Sequence, residues 1–388
     1  MSELSCPLCG GADLSQVLTL RNIPVICNQL WPDVVAAKTA PTGDVELVMC
    51  ETCALIWNRA FEPRRMAYAP GYENALHFSP KFQAFAEKLA EGLVDRHGLA
   101  GRHVIEIGCG DGYLLDLMVK HGVKTAVGFD PSMASKTTPY AARPGVEIVP
   151  EYFRPDHLGR PFDFILCRHV LEHLDDPRLF LTDIRRAIGG RNVPIYFEVP
   201  NASWMLDAVS VWDLIYEHVT YWTAPTMMTL FWRTGFAPVN VQDDYGAQFL
   251  MLEAKPAKAE ACYLSPQTDT VKAAAHSFTV AANDELAKWR HRLAALKGKA
   301  VIWGAGSKGI TFANVLAGAG RPLAALVDLN PRKNGLLAPG VALPVVAPDE
   351  LRQIRPNLVL VSNVLYETEI AAQVKSMELE ASIEVIAG

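Results

Sequence analysis

Two glycine-rich turns in this chain stand where an apolar strand gives way to a helix, and the side chains around them suit different ligands. The first, Val104-Ile105-Glu106-Ile107-Gly108-Cys109-Gly110-Asp111-Gly112, sets an acid, Glu106, inside the strand end and repeats glycine at every second position. A second acid, Asp130, closes the next apolar run, Ala126-Val127-Gly128-Phe129-Asp130. Glycine lets a backbone approach a ligand with no Cβ in the way, and a carboxylate at the second strand end can accept both hydroxyls of a ribose. Glu106, Gly108, Gly110, Gly112 and Asp130 are therefore candidate ligands of an adenosyl cofactor that has no pyrophosphate. The second turn, Val301-Ile302-Trp303-Gly304-Ala305-Gly306-Ser307-Lys308-Gly309, matches the dinucleotide fingerprint, with Asp328 where a ribose acid belongs. Read alone it says NAD, and hence an oxidoreductase. Lys308 beside exposed amides at a helix N-terminus would serve a diphosphate equally well.

Cysteine carries a third signal. Cys6-Pro7-Leu8-Cys9 and Cys50-Glu51-Thr52-Cys53 are two knuckles of the Cys-x-x-Cys kind, each able to offer two thiolates to one tetrahedral metal. With no other polar ligand nearby to leave a position open, the zinc site they imply is structural. Cys27, Cys109, Cys167 and Cys262 lie apart in mostly apolar settings and read as small hydrophobes.

These groups need scaffolds, and 388 residues exceed what a single core usually organises, so two or three domains are expected. Half the residues are apolar and a fifth charged, which suits sizeable cores. A net charge of −6 argues against a nucleic-acid partner, whose phosphates call for lysine and arginine. No apolar run approaches the roughly 20 residues that span a bilayer. Met1 to Ser5 has neither the basic start nor the apolar core of a signal peptide, so a cytoplasmic location is expected, with no membrane partner.

Residues 1–60 read as short strands, β-rich from Val45 to Met49 and interrupted by Pro24, Pro32 and Pro41, with little core of their own. The metal would supply the missing stability. Phe82, Phe85, Ala86 and Leu89 predict a helix over 79–99. Strands and helices then alternate to about Ala254, including strands at 162–167 and 194–199, as in a parallel sheet covered on both faces. A long connecting helix is predicted before residue 296, with Val280, Leu286, Trp289, Leu293 and Leu296 among its apolar positions. Strands at 300–303, 323–327, 358–361 and 383–386 make a second, smaller sheet.

After the strand ending at Cys167 comes Arg168-His169-Val170-Leu171-Glu172-His173-Leu174-Asp175-Asp176-Pro177, at the strand end where open α/β sheets place ligands. Together with Glu106, the glycines and Asp130, this stretch resembles the class I S-adenosylmethionine methyltransferases. Over almost its whole length the chain resembles one branch of them, the three-part sugar C-methyltransferases. The resemblance implies zinc on Cys6, Cys9, Cys50 and Cys53, a methyltransferase Rossmann-like sheet, and a C-terminal Rossmann-like domain that helps hold a nucleoside diphosphate sugar. Tyr216-Glu217-His218 with Tyr221 is similar to the family's catalytic segment, and His173 to a second histidine near the acceptor. Asp328-Leu329-Asn330-Pro331-Arg332-Lys333-Asn334-Gly335 with Pro339-Gly340 is similar to its C-terminal signature, which makes Lys308, Asn330, Lys333 and Gly335 candidate acceptor contacts.

Methylating carbon needs a carbanion, so a base must take a proton next to a ketone. A histidine suits that work near neutral pH, which points to His218, with Glu217 as orienter or sugar contact. His169 reads as structural. The family tyrosine two positions before the Glu-His pair is Ile215 here, which keeps O- or N-methylation of another small molecule open as an alternative. Tyr68, Tyr72, His77 and Phe78 either cap the cofactor, Tyr72 foremost, or pack between domains. Trp204, Trp212, Trp222 and Trp232 either line a pocket or fill a core. The expected organisation is a zinc domain at 1–60, a cofactor-binding domain at 61–254, and a connecting helix with an acceptor-binding domain at 255–388. The rivals are an NAD-dependent oxidoreductase and a zinc-bearing scaffold that binds nucleotides without chemistry.

Overall fold

The structure, a computed structural model, describes residues 5–66, 71–134, 136–317 and 323–386. Tyr68 lies outside the described residues. Strands β1 (Leu14–Pro24), β2 (Thr42–Cys50) and β3 (Ile56–Asn58) form an antiparallel sheet that ends on the two-residue strand Thr220–Tyr221. The apolar alternation along β1 and β2 is not left without a core. Val45 and Leu47 pack in one cluster with Trp212, with Leu286 and Trp289 of the connecting helix, and with Phe312. The first segment thus shares a core with the two domains that follow it. That shared core supplies stability that the segment's own short strands do not.

The central sheet holds β4 (His103–Ile107), β5 (Thr125–Phe129), β6 (Val146–Val149), β7 (Phe164–Arg168), β8 (Ile195–Pro200), then, after β9 (Thr220–Tyr221) of the first sheet, β10 (Phe236–Asp244) and β11 (Phe249–Pro256). Its order is β10-β11-β8-β7-β4-β5-β6. The first five of these pair in parallel, but β11 runs antiparallel to both β8 and β10. The expected alternation therefore ends in a hairpin, whose turn carries positive φ at Tyr245, Gly246 and Ala247. A helix at Pro80–His97 covers one face. Ser79 caps its first turn by accepting from the Phe82 amide, and Gly98 closes it in the left-handed conformation.

A 27-residue helix, Thr268–Ala294, leads to the third sheet. It buries Leu286, Trp289 and Leu293, whereas Val280 is 71% exposed and lies off the apolar face expected of it. The third sheet is parallel, built from β12 (Ala300–Trp303), β13 (Leu323–Val327), β14 (Val345–Val346), β15 (Leu358–Val361) and β16 (Ser382–Val385) in the order β14-β13-β12-β15-β16. No helix among the described residues is long and apolar enough to cross a membrane. The carboxyl ends of β4 and β12 face one another, and a single cleft of about 920 Å³ is lined by both glycine turns.

Candidate active site

The cofactor end of the cleft is built by β4 and β5. Glu106 is 2% exposed, and its Oε2 has no hydrogen-bond partner. Burial pushes this carboxyl up to about 8, with Arg168 opposing. Gly108 and Gly110 both adopt positive φ, and a Cβ on Gly110 would meet nothing within 4 Å, so the turn leaves its concave side open. Asp130 braces that turn. Its Oδ2 accepts from the Gly110 amide at 2.8 Å and its Oδ1 from the Ser132 amide at 2.9 Å. Gly112 departs from the expected role, because it is not among the lining residues. Its φ of 85° starts the helix Tyr113–Lys120, and a Cβ there would strike Ile148 at 2.7 Å. An orphaned buried carboxylate, an open glycine cradle and an acid at the second strand end fit an adenosyl cofactor with a cationic amino-acid tail.

His173 and His218 stand in the middle of the cleft. Their rings meet edge to face at 5.0 Å, and Tyr221 lies 6.1 Å beyond His218. The His173 Nδ1 donates to the main-chain oxygen of Glu217 at 2.8 Å, which leaves Nε2 facing Glu172. Burial, reinforced by His173, lowers His218 to about 3. Both the segment containing His218 and that containing His173 are held by β9 and the short helix Leu171–His173, where the Val219 amide donates to the Glu172 oxygen at 2.7 Å.

Three expected catalytic side chains do other work. The Glu217 carboxylate is turned from the cleft: Oε1 accepts from the Cys27 amide at 2.9 Å, and Tyr72 hydrogen-bonds the same carboxylate. Glu217 serves His173 through its backbone and does not orient His218 with its side chain. Tyr216 is packed into the first sheet, its hydroxyl accepting from the Glu62 amide at 2.9 Å and its ring filling the space over Gly43. The Tyr221 hydroxyl donates to the Ile215 oxygen at 3.3 Å, so the phenol is engaged, while Ile215 itself lines the cleft. Tyr72 does line the cleft, and burial together with Glu217 keeps its phenol protonated.

At the far end, Lys308 bridges two domains. Its Nζ lies 3.1 Å from Asp213 Oδ2, 3.3 Å from Gln248 Oε1 and 4.3 Å over the ring of Trp204. Asn330 donates to Glu73 at 3.1 Å. Lys333 is buried and donates to the Ala305 oxygen and to Asp328, which removes it as a free anion contact. Gly335, with φ 78°, is absent from the lining and makes a turn against Val345. Of the four tryptophans, Trp204 lines the cleft, while Trp212 and Trp222 are fully buried. Sequence reasoning missed Arg332, which pairs with Glu73 and Asp111 across the cleft, and it missed Glu172. Glu172 sits beside a histidine already singled out, but nothing in the order of residues says that its side chain is buried.

Residues 79–241 match the family model described as methyltransferase domain, and residues 269–386 match the one described as C-methyltransferase C-terminal domain. The fold is that of a class I S-adenosylmethionine-dependent methyltransferase. Among curated proteins, this chain is 29% identical over 143 residues to a ubiquinone biosynthesis O-methyltransferase of Idiomarina loihiensis, covering 34% of this chain and 56% of the relative. It is 26% identical over 144 residues to a tRNA U34 carboxymethyltransferase of Campylobacter concisus, covering 34% and 47%. The chain thus spans about half the length of each of these relatives. Among solved structures, magnesium protoporphyrin IX methyltransferase of Synechocystis with bound SAH overlaps 46% of this chain and 84% of its own at 16% identity, with a TM-score of 0.37.

Proposed function

We propose that this protein transfers the methyl group of S-adenosylmethionine to a carbon of a small acceptor, a nucleotide-linked ketosugar, bound between the central and C-terminal sheets. The observation that carries this reading is the placement of two imidazoles, His173 and His218, in one cleft with the cofactor turn on one side and the C-terminal turn on the other. Glu106, Gly108, Gly110 and Asp130 would hold the cofactor, which supplies an electrophilic methyl on a cationic sulfur. His218 takes a proton from the carbon next to the ketone, and the electron pair left behind becomes an enolate. With the donor bound, the enolate carbon would take its methyl, the electrons of the broken carbon–sulfur bond staying on sulfur. Lys308, Gln248 and Asn363 line the same cleft and offer polar contacts for the rest of the acceptor.

A deuterium-exchange experiment tests this. With S-adenosylhomocysteine in place of the donor, the wild type should exchange the α-proton of the ketone with deuterated water, and His218→Ala should lose exchange and turnover by about 100-fold or more. One observation favours transfer to oxygen or nitrogen instead. Ile215 occupies the cleft position where the resembling family has a phenol, and neither Tyr216 nor Tyr221 replaces it. Full methyl transfer without solvent exchange would establish that second reading.

We also infer that zinc occupies the cysteine cluster. The Cys6 and Cys53 sulfurs are 3.5 Å apart, as are those of Cys9 and Cys50, and all four lie within 4.8 Å of one another with no disulfide. Sulfur ligands at about 2.3 Å around a tetrahedral ion require separations of that order. About one zinc per chain is expected by elemental analysis, lost with much of the thermal stability in Cys50→Ser. A well-folded metal-free protein would retire the assignment.

A further inference from the structure

A neutral histidine sunk in a cleft is a poor base unless the positive charge it acquires can be balanced, and the structure puts one carboxylate where it can do so. Glu172 is 2% exposed, and neither of its carboxylate oxygens has a hydrogen-bond partner, its main-chain oxygen being the one that accepts from Val219. Its Oε1 lies 4.0 Å from Nε2 of His173 and 3.6 Å from Nδ1 of His169, and one carboxylate oxygen is within 4.8 Å of ligand atoms of both His173 and His218. Beneath it is a fixed scaffold. His169 holds φ at 53°, an unusual conformation for a residue with a side chain, and its amide donates to the Glu198 oxygen at 2.8 Å. Its Nε2 is 3.0 Å from Glu198 Oε1, which also receives both Nε and Nη2 of Arg168 at 3.0 and 2.8 Å.

We propose that Glu172 is a positioning residue for proton abstraction: through His173 it balances the charge that His218 gains when it takes the acceptor's proton. This rests on the proposed carbon methylation. The charged and titratable groups around Glu172 are His169 and Arg168 at the end of β7, Glu198 on β8, Glu106 on β4, His173 on its own turn, and His218, Tyr72 and Cys167. Burial disfavours a charge on Glu172, yet His169 and His173 outweigh it and keep the carboxylate ionised. Burial also opposes a charged His169, but Glu172 and Glu198 overcome it and raise the imidazole to about 9. Of the groups that face His218, His173 and His169 disfavour a charge on it and Glu172 favours one, so Glu172 is the anion that a proton arriving on His218 meets.

Glu172→Gln keeps the shape and removes the charge. It should slow α-proton exchange in deuterated water about 100-fold, leave S-adenosylhomocysteine affinity within twofold, and shift the acid limb of the kcat/KM profile to lower pH, because His218 becomes a weaker base. Glu172→Asp should recover part of the rate. An unchanged limb and exchange rate in a folded Gln variant would overturn the proposal, as would a second equivalent of zinc or cobalt bound by the wild type and lost in that variant. Should the Gln variant fail to fold, His173→Gln decides: α-proton exchange is expected to slow in it as well, and an unchanged exchange rate overturns the proposal, because the balancing is routed through His173. Absence of exchange in the wild type itself would instead refute the carbon-methylation reading, which separates the two failures.

Discussion

Asp130 and Asp328 do the same backbone work in two different sheets. Asp130 accepts from the amides of Gly110 and Ser132 at 2.8 and 2.9 Å, and Asp328 from those of Ala305 and Asn330 at 3.0 and 2.9 Å. Each carboxylate thereby ties the glycine turn of one strand to the start of the loop after the next. They differ in what else arrives. Lys333 reaches Asp328 Oδ2 at 3.2 Å while also donating to the Ala305 oxygen at 2.9 Å, so its ammonium sits in the second turn as an internal clasp. Beside Asp130 there is instead a second buried acid, Glu106, with an oxygen unclaimed. In openness the turns are alike: a Cβ would strike Val170 at Gly108 and Ser362 at Gly304, but would meet nothing within 4 Å at Gly110 or Gly306. An acid at the second strand end is therefore a turn-building device in both sheets. Whether it is also free to take a ribose depends on residues that no glycine fingerprint includes.

The largest effect should come from opening the clasp. Lys333→Ala leaves Asp328 largely buried without its cation, and breaking a buried pair from one side should cost about 3 kcal/mol of stability. Denaturant unfolding should show this as a lower midpoint, with S-adenosylhomocysteine affinity of the folded protein unchanged. If the variant instead keeps its stability and gains affinity for NAD, the second turn is a dinucleotide site that the lysine merely occludes.

Asp130→Ala asks the opposite of the first turn. Losing hydrogen bonds to a charged group should weaken S-adenosylhomocysteine binding by about 1.5–3 kcal/mol, measured by calorimetry, and Asp328→Ala should leave that affinity alone. The reverse pattern would mean that the two turns have been assigned the wrong way round.

How far these assignments were legible in the sequence follows from the same contrast. Local signals were strong where a short segment decides its own geometry. The helix expected over 79–99 and three strands of the third sheet fall where the pattern put them, at Pro80–His97, Ala300–Trp303, Leu323–Val327 and Leu358–Val361. The hairpin of β10 and β11 was not legible, because strand direction depends on the turn between them and not on their own composition. Side-chain direction was the other loss. The irregular backbone at 215–218 follows no simple alternation: Tyr216 and Glu217 turn toward the N-terminal segment, to the amides of Glu62 and Cys27, while Ile215 and His218 face the cleft. Lys333 and Glu172 were hidden for a different reason. Their roles come from burial, and burial is set by elements far away in the chain.

The most gradual effect, and the sharpest on why the first turn is the receptive one, concerns Glu106. Its carboxyl is raised from 4.5 to about 8 in the folded protein, chiefly by burial. For a carboxyl raised in this way, the folded state holds the proton more tightly than the unfolded state does. The contribution is fully present below pH 4.5 and is lost as pH rises toward 8. Without ligand, stability relative to Glu106→Gln should therefore fall through that window, by no more than about 1.4 kcal/mol for each pH unit. Adding S-adenosylmethionine should reverse the trend, because a cationic ligand favours the ionised carboxylate, and binding should release a proton between pH 6 and 8. Calorimetry in buffers of different ionisation enthalpy measures that release directly. A wild type whose stability tracks Glu106→Gln at every pH, with no proton released on binding, would show that Glu106 meets no cation. The first turn would then differ from the second only in lacking a lysine.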